Sequence, residues 1–236
     1  MARKKQINVT KAQIVRVATS RFMEVGYSST TCKSIGDALG ISTGHITFYY
    51  PTKEHMLAVL VEMLCDFQWK MMNRMVDGGT GELTAFCLEL TAMAAICEEN
   101  QIGKEFYISA YTHPMPLEII RRNDAARAEK LFADQCSGWT AERFTEAENL
   151  VSGIEYAILM TTGDSPPLPV RIRGALEQIL LIYGVPEEIR KREIQTVLEL
   201  DYRGIGKNIL NEFTQYIKEV NEQTLDDLLN LLKGGY

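Results

Sequence analysis

The 236 residues carry 46% hydrophobic and 24% charged side chains, ordinary proportions for a folded protein and enough chain to bury a sizeable core. The net charge of −6 is unevenly spread: residues 1–57 hold eight Lys or Arg against Glu24, Asp37 and Glu54, a balance of +5 that leaves −11 for the rest. A basic head on an acidic body is a charge distribution suited to phosphate, and it argues against dismissing nucleic acid on the average alone.

In chain order, residues 1–9 read as a polar, basic leader. Thr10 is the expected N-cap of a helix reaching about Val25, with Ile14, Val17, Ala18, Phe22 and Val25 at helical spacing and Gly26 ending it. Thr30-Thr31 offer hydroxyls to the orphan N–H groups of a two-turn helix from Cys32 to Leu39, whose apolar face carries Ile35, Ala38 and Leu39. Gly40 suits a left-handed turn, Ile41 plugs the corner and Ser42 caps the next helix. Gly36 lets the two helices cross closely, and Ile46 fills the angle between them. Together these residues spell a helix-turn-helix. Pro51 is placed at the first turn of a long helix through Met56, Leu57, Leu60, Val61, Leu64, Phe67 and Met71 to about Met75, joining head to body over residues 51–76.

Asp77-Gly78-Gly79-Thr80-Gly81 is the clearest breaker. Beyond it only helical periods occur, predicting helices at 82–100, 102–111, 116–135, 140–162, 169–183, 186–200, 203–220 and 225–232, with turn chemistry at residues 112–114, 163–167 and 184–186. No alternation of period two is visible. The expected fold is all-α: a three-helix DNA-binding head over residues 1–57, then a larger helical-bundle domain for ligand binding and dimerisation over residues 58–236.

Five scattered cysteines (Cys32, Cys65, Cys87, Cys97, Cys136) lack C-x-x-C spacing, which favours free thiols over a disulfide framework or zinc site. There is no apolar run of membrane-spanning length, nor an apolar stretch after the basic N-terminus. The expected location is therefore cytoplasmic, without membrane contact. No metal pair, phosphate-binding glycine loop or nucleophile elbow is present, so no enzyme, metal or cofactor is expected, and Asp and Glu read as solvated helix faces.

The run Phe22-Met23-Glu24-Val25-Gly26-Tyr27, then Thr30-Thr31, Ile35-Gly36-Asp37-Ala38-Leu39-Gly40-Ile41-Ser42, Gly44, Ile46, Phe48-Tyr49-Tyr50 and Lys53-Glu54 resembles the TetR family of transcriptional regulators. The likeness covers roughly the first quarter of the chain. It implies a symmetric homodimer, a three-helix head on a palindromic double-stranded operator, and an effector pocket in the helical body. This chain departs from the pattern at Thr47, where the family usually has an aromatic, and it has no Arg or Lys between Ser42 and Tyr50.

A recognition helix enters the major groove N-terminus first. Thr43, Gly44, His45 and Thr47 are therefore the expected base contacts, and Gly44 permits close backbone approach. Phosphate contacts are expected from Thr31, Lys33, Ser42, Tyr49 and Lys53; Ile46 and Tyr50 are expected to face the core. For Thr31 and Ser42 the plainer reading is helix capping, and for Tyr49 a structural aromatic. In the body, Met63, Phe67, Met71, Met93, Phe106, Tyr107 and Tyr156 are candidates for a pocket taking an apolar small-molecule effector, with ordinary core packing as the alternative. The dimer helices are expected at 140–162 and 169–183, the latter with Leu176, Ile179, Leu180, Leu181 and Ile182. The function that follows is a ligand-responsive repressor released from its operator by a small apolar molecule. The alternatives are an activator of the same fold or a helical protein-interaction adaptor.

Overall fold

The computed structural model describes residues 2–222, with side chains described from residue 11 to residue 221. Among these residues all regular structure is helical. The predicted segment 225–232 lies outside them.

Helix α1 (Ala2–Val25) starts ahead of Thr10, which is interior to the helix instead of capping it. Ala2, Arg3, Lys4, Lys5 and Gln6 are all strong helix formers, so nothing breaks the chain before Thr10. Its buried face is Ala12, Ile14, Val15, Ala18, Thr19 and Phe22, while Val25 is left exposed. Gly26, at φ +89°, turns the chain.

Helices α2 (Cys32–Leu39) and α3 (Thr43–Tyr49) follow. Ile35 and Gly36 are the buried residues of α2, and Ala38 faces solvent, so the apolar face is narrower than its spacing implies. Gly40 takes the left-handed conformation at φ +66° and ψ 30°. A Cβ on Gly36 would stand 2.7 Å from the Ile41 carbonyl oxygen, so the close crossing needs glycine there.

Helix α4 (Lys53–Asp77) begins after Pro51, with Thr52 as its N-cap. The body comprises α5 (Glu82–Glu99), α6 (Gln101–Thr112), α7 (Pro114–Leu131), α8 (Ala141–Leu159), α9 (Leu168–Ile182), α10 (Glu187–Glu199) and α11 (Tyr202–Glu222). One continuous core runs from the head into the body along α4, which contributes eleven buried hydrophobic residues. Helix α11 lies along α5, α4 and α1. Its Phe213 packs against Phe67 and Phe106, and its Asn221 donates to Thr19 Oγ1 (3.2 Å) in the head.

Three more contacts fasten head to body. Glu105 of α6 accepts from the Ser28 N–H, Glu54 accepts from the Met115 N–H (2.9 Å), and the Tyr27 hydroxyl meets His113 Nε2 (3.4 Å).

Candidate nucleic-acid interface and body chamber

The tip of the head is built from two caps. The Ser34 N–H donates to Thr31 Oγ1 (3.0 Å) and the Thr31 N–H donates to Ser34 Oγ (3.1 Å), a reciprocal box that sets the start of α2. The His45 N–H donates to Ser42 Oγ (3.2 Å), which sets the start of α3. The capping readings of Thr31 and Ser42 are thus realised, and both residues remain exposed.

With Ile46 and Tyr50 buried, the opposite side of α3 is open. Thr43, Gly44, His45 and Thr47 are all exposed, and a Cβ on Gly44 would meet only Ser42 Oγ, at 3.9 Å. Thr47 spends its hydroxyl proton on the Gly44 carbonyl (3.3 Å). Lys33 is exposed beside this face. Tyr49 is half-buried, its ring against His45 (centroids 5.5 Å apart) and Phe48 (5.0 Å).

Sequence reasoning passed over Phe48, which at 76% is the most exposed large hydrophobic side chain among the described residues. The signal was present: Phe48 lies two residues from both Ile46 and Tyr50, which on a helix is the far side from the core.

Lys53 sits differently from a free phosphate ligand. Its Nζ donates to the carbonyls of Tyr27 (2.7 Å) and Thr30 (3.1 Å) and stands 3.8 Å from the centre of the Tyr27 ring. Two of its three N–H donors are therefore spent on the loop that presents α2. Burial lowers the Lys53 pKa from its usual value, and burial, followed by the neighbouring Glu54, raises that of Tyr27 to about 12.

The body candidates divide. Phe67, Met71, Met93 and Tyr107 converge with Phe213 on a void of only about 10 Å³ between α4, α5, α6 and α11. Met63 and Phe106 are buried in the same continuous core, and Tyr156 is half-buried against it. Met93 also lines a second chamber. That chamber, of about 30 Å³, lies between α4, α5, α7 and α8 and is lined by acids that sequence reasoning had placed on solvated faces. Glu89, Glu148 and Glu155 are at most 9% exposed, and Asp124 lies beside them.

Arg127 pairs with Glu89 and with Asp124 (3.3 Å) in this chamber. The Tyr111 hydroxyl donates to Glu155 (2.9 Å), and the Tyr183 hydroxyl donates to Glu148 Oε1. Glu148 Oε2 is buried and has no hydrogen-bond partner. Burial raises the carboxyl pKa of Asp124 to about 6 and of Glu148 to about 8, and lifts Glu155 well above the usual range. An adjoining cleft of about 400 Å³, open to solvent beside Trp69 and Met72, shares Phe86 and Arg127 with the chamber.

The residues expected at a dimer face are only partly outward-facing. Leu176, Ile179 and Leu180 are buried within the protomer, whereas Leu150 (58% exposed), Met160, Val170 and Leu181 (51%) face outward from α8 and α9 or the loop between them. Gly153 and Gly174 open the same side, with no atom within 4 Å of a Cβ built on either.

Residues 14–60 match the family model described as bacterial regulatory proteins, tetR family. The chain is similar to the HTH-type transcriptional regulator HbdR of Aromatoleum sp. (strain CIB), 26% identical over 118 residues, which are 50% of this chain and 50% of that protein. It is also similar to the HTH-type transcriptional repressor KstR2 of Mycobacterium tuberculosis, 27% identical over 78 residues, 33% of this chain and 39% of that protein. The matched part thus spans half or less of these relatives' length. Among solved structures, CprB of S. coelicolor A3(2), described as a TetR family protein, aligns at 18% identity over 89% of this chain and 98% of that one, with a TM-score of 0.39. A gamma-butyrolactone receptor described as ArpA-like aligns at 18% identity over 88% and 99%, with a TM-score of 0.40. No described helix is long and apolar enough to cross a membrane.

Proposed function

We propose, from the premise that this chain belongs to the TetR family of bacterial regulatory proteins, that it is a homodimeric repressor which leaves its operator when a small molecule occupies the body. The observation that carries this reading is the open face of α3. A short helix with its hydrophobic side, Ile46 and Tyr50, buried holds an exposed, uncharged first turn, and Lys33 of the preceding helix is exposed as well. Thr43, Gly44 and His45 read base edges, with Phe48 added as an apolar contact suited to a thymine methyl. Thr31, Lys33, Ser42 and Tyr49 position the head on phosphates, and Lys53 has one N–H left for the same purpose while it fastens the loop. Thr47 joins the base-reading set through its methyl group.

Half-sites one helical turn apart require a two-fold pair of heads. The outward apolar face of α8 and α9 supports a second copy of the chain as the partner. The repressor role follows the relative named as a repressor and the commoner outcome in the family.

Selection of bound sequences from a random DNA pool by the purified chain tests the reading. A palindromic site is the expected result. Thr43→Ala and His45→Ala then change preference at particular base pairs, whereas Lys33→Ala weakens all sequences alike. Absence of enriched sequences, together with no affinity for DNA at low salt, refutes it.

A further inference from the structure

The chamber between α4, α5, α7 and α8 has a polar imbalance that packing leaves unresolved. Arg127 is already taken by Glu89 and Asp124, and Arg121 spends its Nε on Ser152 (2.8 Å). Glu148 and Glu155 have only tyrosine hydroxyls as hydrogen-bond partners among the described residues. A tyrosine neutralises no charge. Ionised, the pair has no ion-pair partner among the described residues, Arg121 and Arg127 acting on Glu148 only as neighbouring charges; protonated, Glu148 offers an O–H at Oε2 with nothing to accept it.

We propose that this chamber is a site for an organic ammonium group, and that the effector is an amine whose remaining atoms are apolar. An ammonium brings three donors, enough for Glu148 Oε2, Glu155 and one further oxygen, together with a positive charge in direct contact with the pair. A void of about 30 Å³ has room for that head, since a water-sized group needs about 10–15 Å³ of such space. The apolar remainder needs more room than this void, and the adjoining cleft of about 400 Å³, which shares Phe86 and Arg127 with the chamber and carries Trp69 and Met72, supplies it. A bare metal ion fits poorly, because the described His, Cys, Asp and Glu form no cluster with metal-holding geometry. Burial that keeps the Glu148 carboxyl protonated near neutrality adds a signature: an arriving ammonium favours the carboxylate, and the displaced proton passes to the buffer.

The inference rests on the reading of the body as an effector domain, but its test needs no DNA, so the two fail separately. Three probes differ only in their polar head: 3-phenylpropylamine, 3-phenylpropan-1-ol and 3-phenylpropanoate. Against the full chain at pH 7, the amine is expected to raise the melting temperature in a saturable way and the other two to leave it unmoved. Calorimetry in phosphate and in Tris, buffers of different ionisation enthalpy, is expected to show proton release. Glu148→Gln keeps its size and its bond from Tyr183. It should weaken amine binding about ten-fold or more and abolish the proton release. Glu155→Gln, with fold checked by circular dichroism, should weaken it similarly. No response to the amine, an equal response to the alcohol or the acid, or undiminished amine binding by both variants overturns the proposal.

Discussion

Gly44→Ala separates what the fold needs from what the duplex needs. The added methyl meets only Ser42 Oγ, at 3.9 Å, so the free head has room for it. Gly44 lies in the first turn of a helix, and replacing glycine there adds about 0.5 kcal/mol of stability, the low end of the usual helix gain. In a chain of 236 residues that corresponds to a rise of roughly 1–2 °C in melting temperature. In the proposed complex the same methyl would lie between the α3 backbone and the groove floor. Displacing one base contact costs about 1–3 kcal/mol, a loss of roughly 5- to 150-fold in affinity. Gly36→Ala is the counterpart, because its methyl would lie 2.7 Å from the Ile41 carbonyl oxygen and the crossing must open. That overpacking costs about 1–3 kcal/mol. Both variants lose DNA, but their melting temperatures move in opposite directions. Circular dichroism melts and fluorescence anisotropy on a selected operator read the two quantities. Wild-type affinity in Gly44→Ala would refute the placement of the first turn of α3 against DNA.

Other outcomes follow from the same geometry. Lys53→Ala removes two bonds to the carbonyls of Tyr27 and Thr30, and thermal unfolding without DNA should show a loss of about 1.5–3 kcal/mol. Lys33→Ala should leave the melting temperature unchanged and reduce the slope of affinity against salt by about 1. Folding raises the Glu148 pKa from 4.5 to about 8, so its contribution to stability is full below about pH 4.5 and is lost as pH rises through about 8. Melts between pH 5 and 8.5 should therefore decline less steeply in Glu148→Gln than in the parent. Leu150→Glu with Leu181→Glu puts charge on the outward face of α8 and α9, and light scattering should then find protomers that grip only half an operator.

The head was legible because its requirements are local. Gly36, Gly40 and Ser42 each act on atoms within a few residues, so chain order alone placed the crossing, the turn and the cap. Lys53 was read less well: its partners, Tyr27 and Thr30, are 26 and 23 residues away, a closure that no local pattern encodes. The body helices were legible from period and punctuation to within a few residues, with the late start of α4 following from Thr52, not Pro51, at its cap. The chamber was not legible at all. Glu89, Asp124, Glu148 and Glu155 lie on three different helices, and each looks like a solvated residue until α5, α7 and α8 are brought together. The same holds for the outward apolar face of α8 and α9, since Leu176 and Leu181 are equally apolar in sequence and differ only in which side of α9 they occupy.

Helix α4 has 25 residues, a rod of about 37 Å at 1.5 Å per residue, rooted in the head and flanking the acidic void with Leu64, Cys65 and Gln68. A rod that long is a lever: tilting it by about 5° sweeps its far end through about 3 Å. In a symmetric pair the sweep is doubled and opposed, so the gap between the two reading helices departs from the fixed 34 Å repeat of the duplex by roughly 6 Å. An offset of that size is close to two base-pair steps, and rigid DNA cannot follow it without bending.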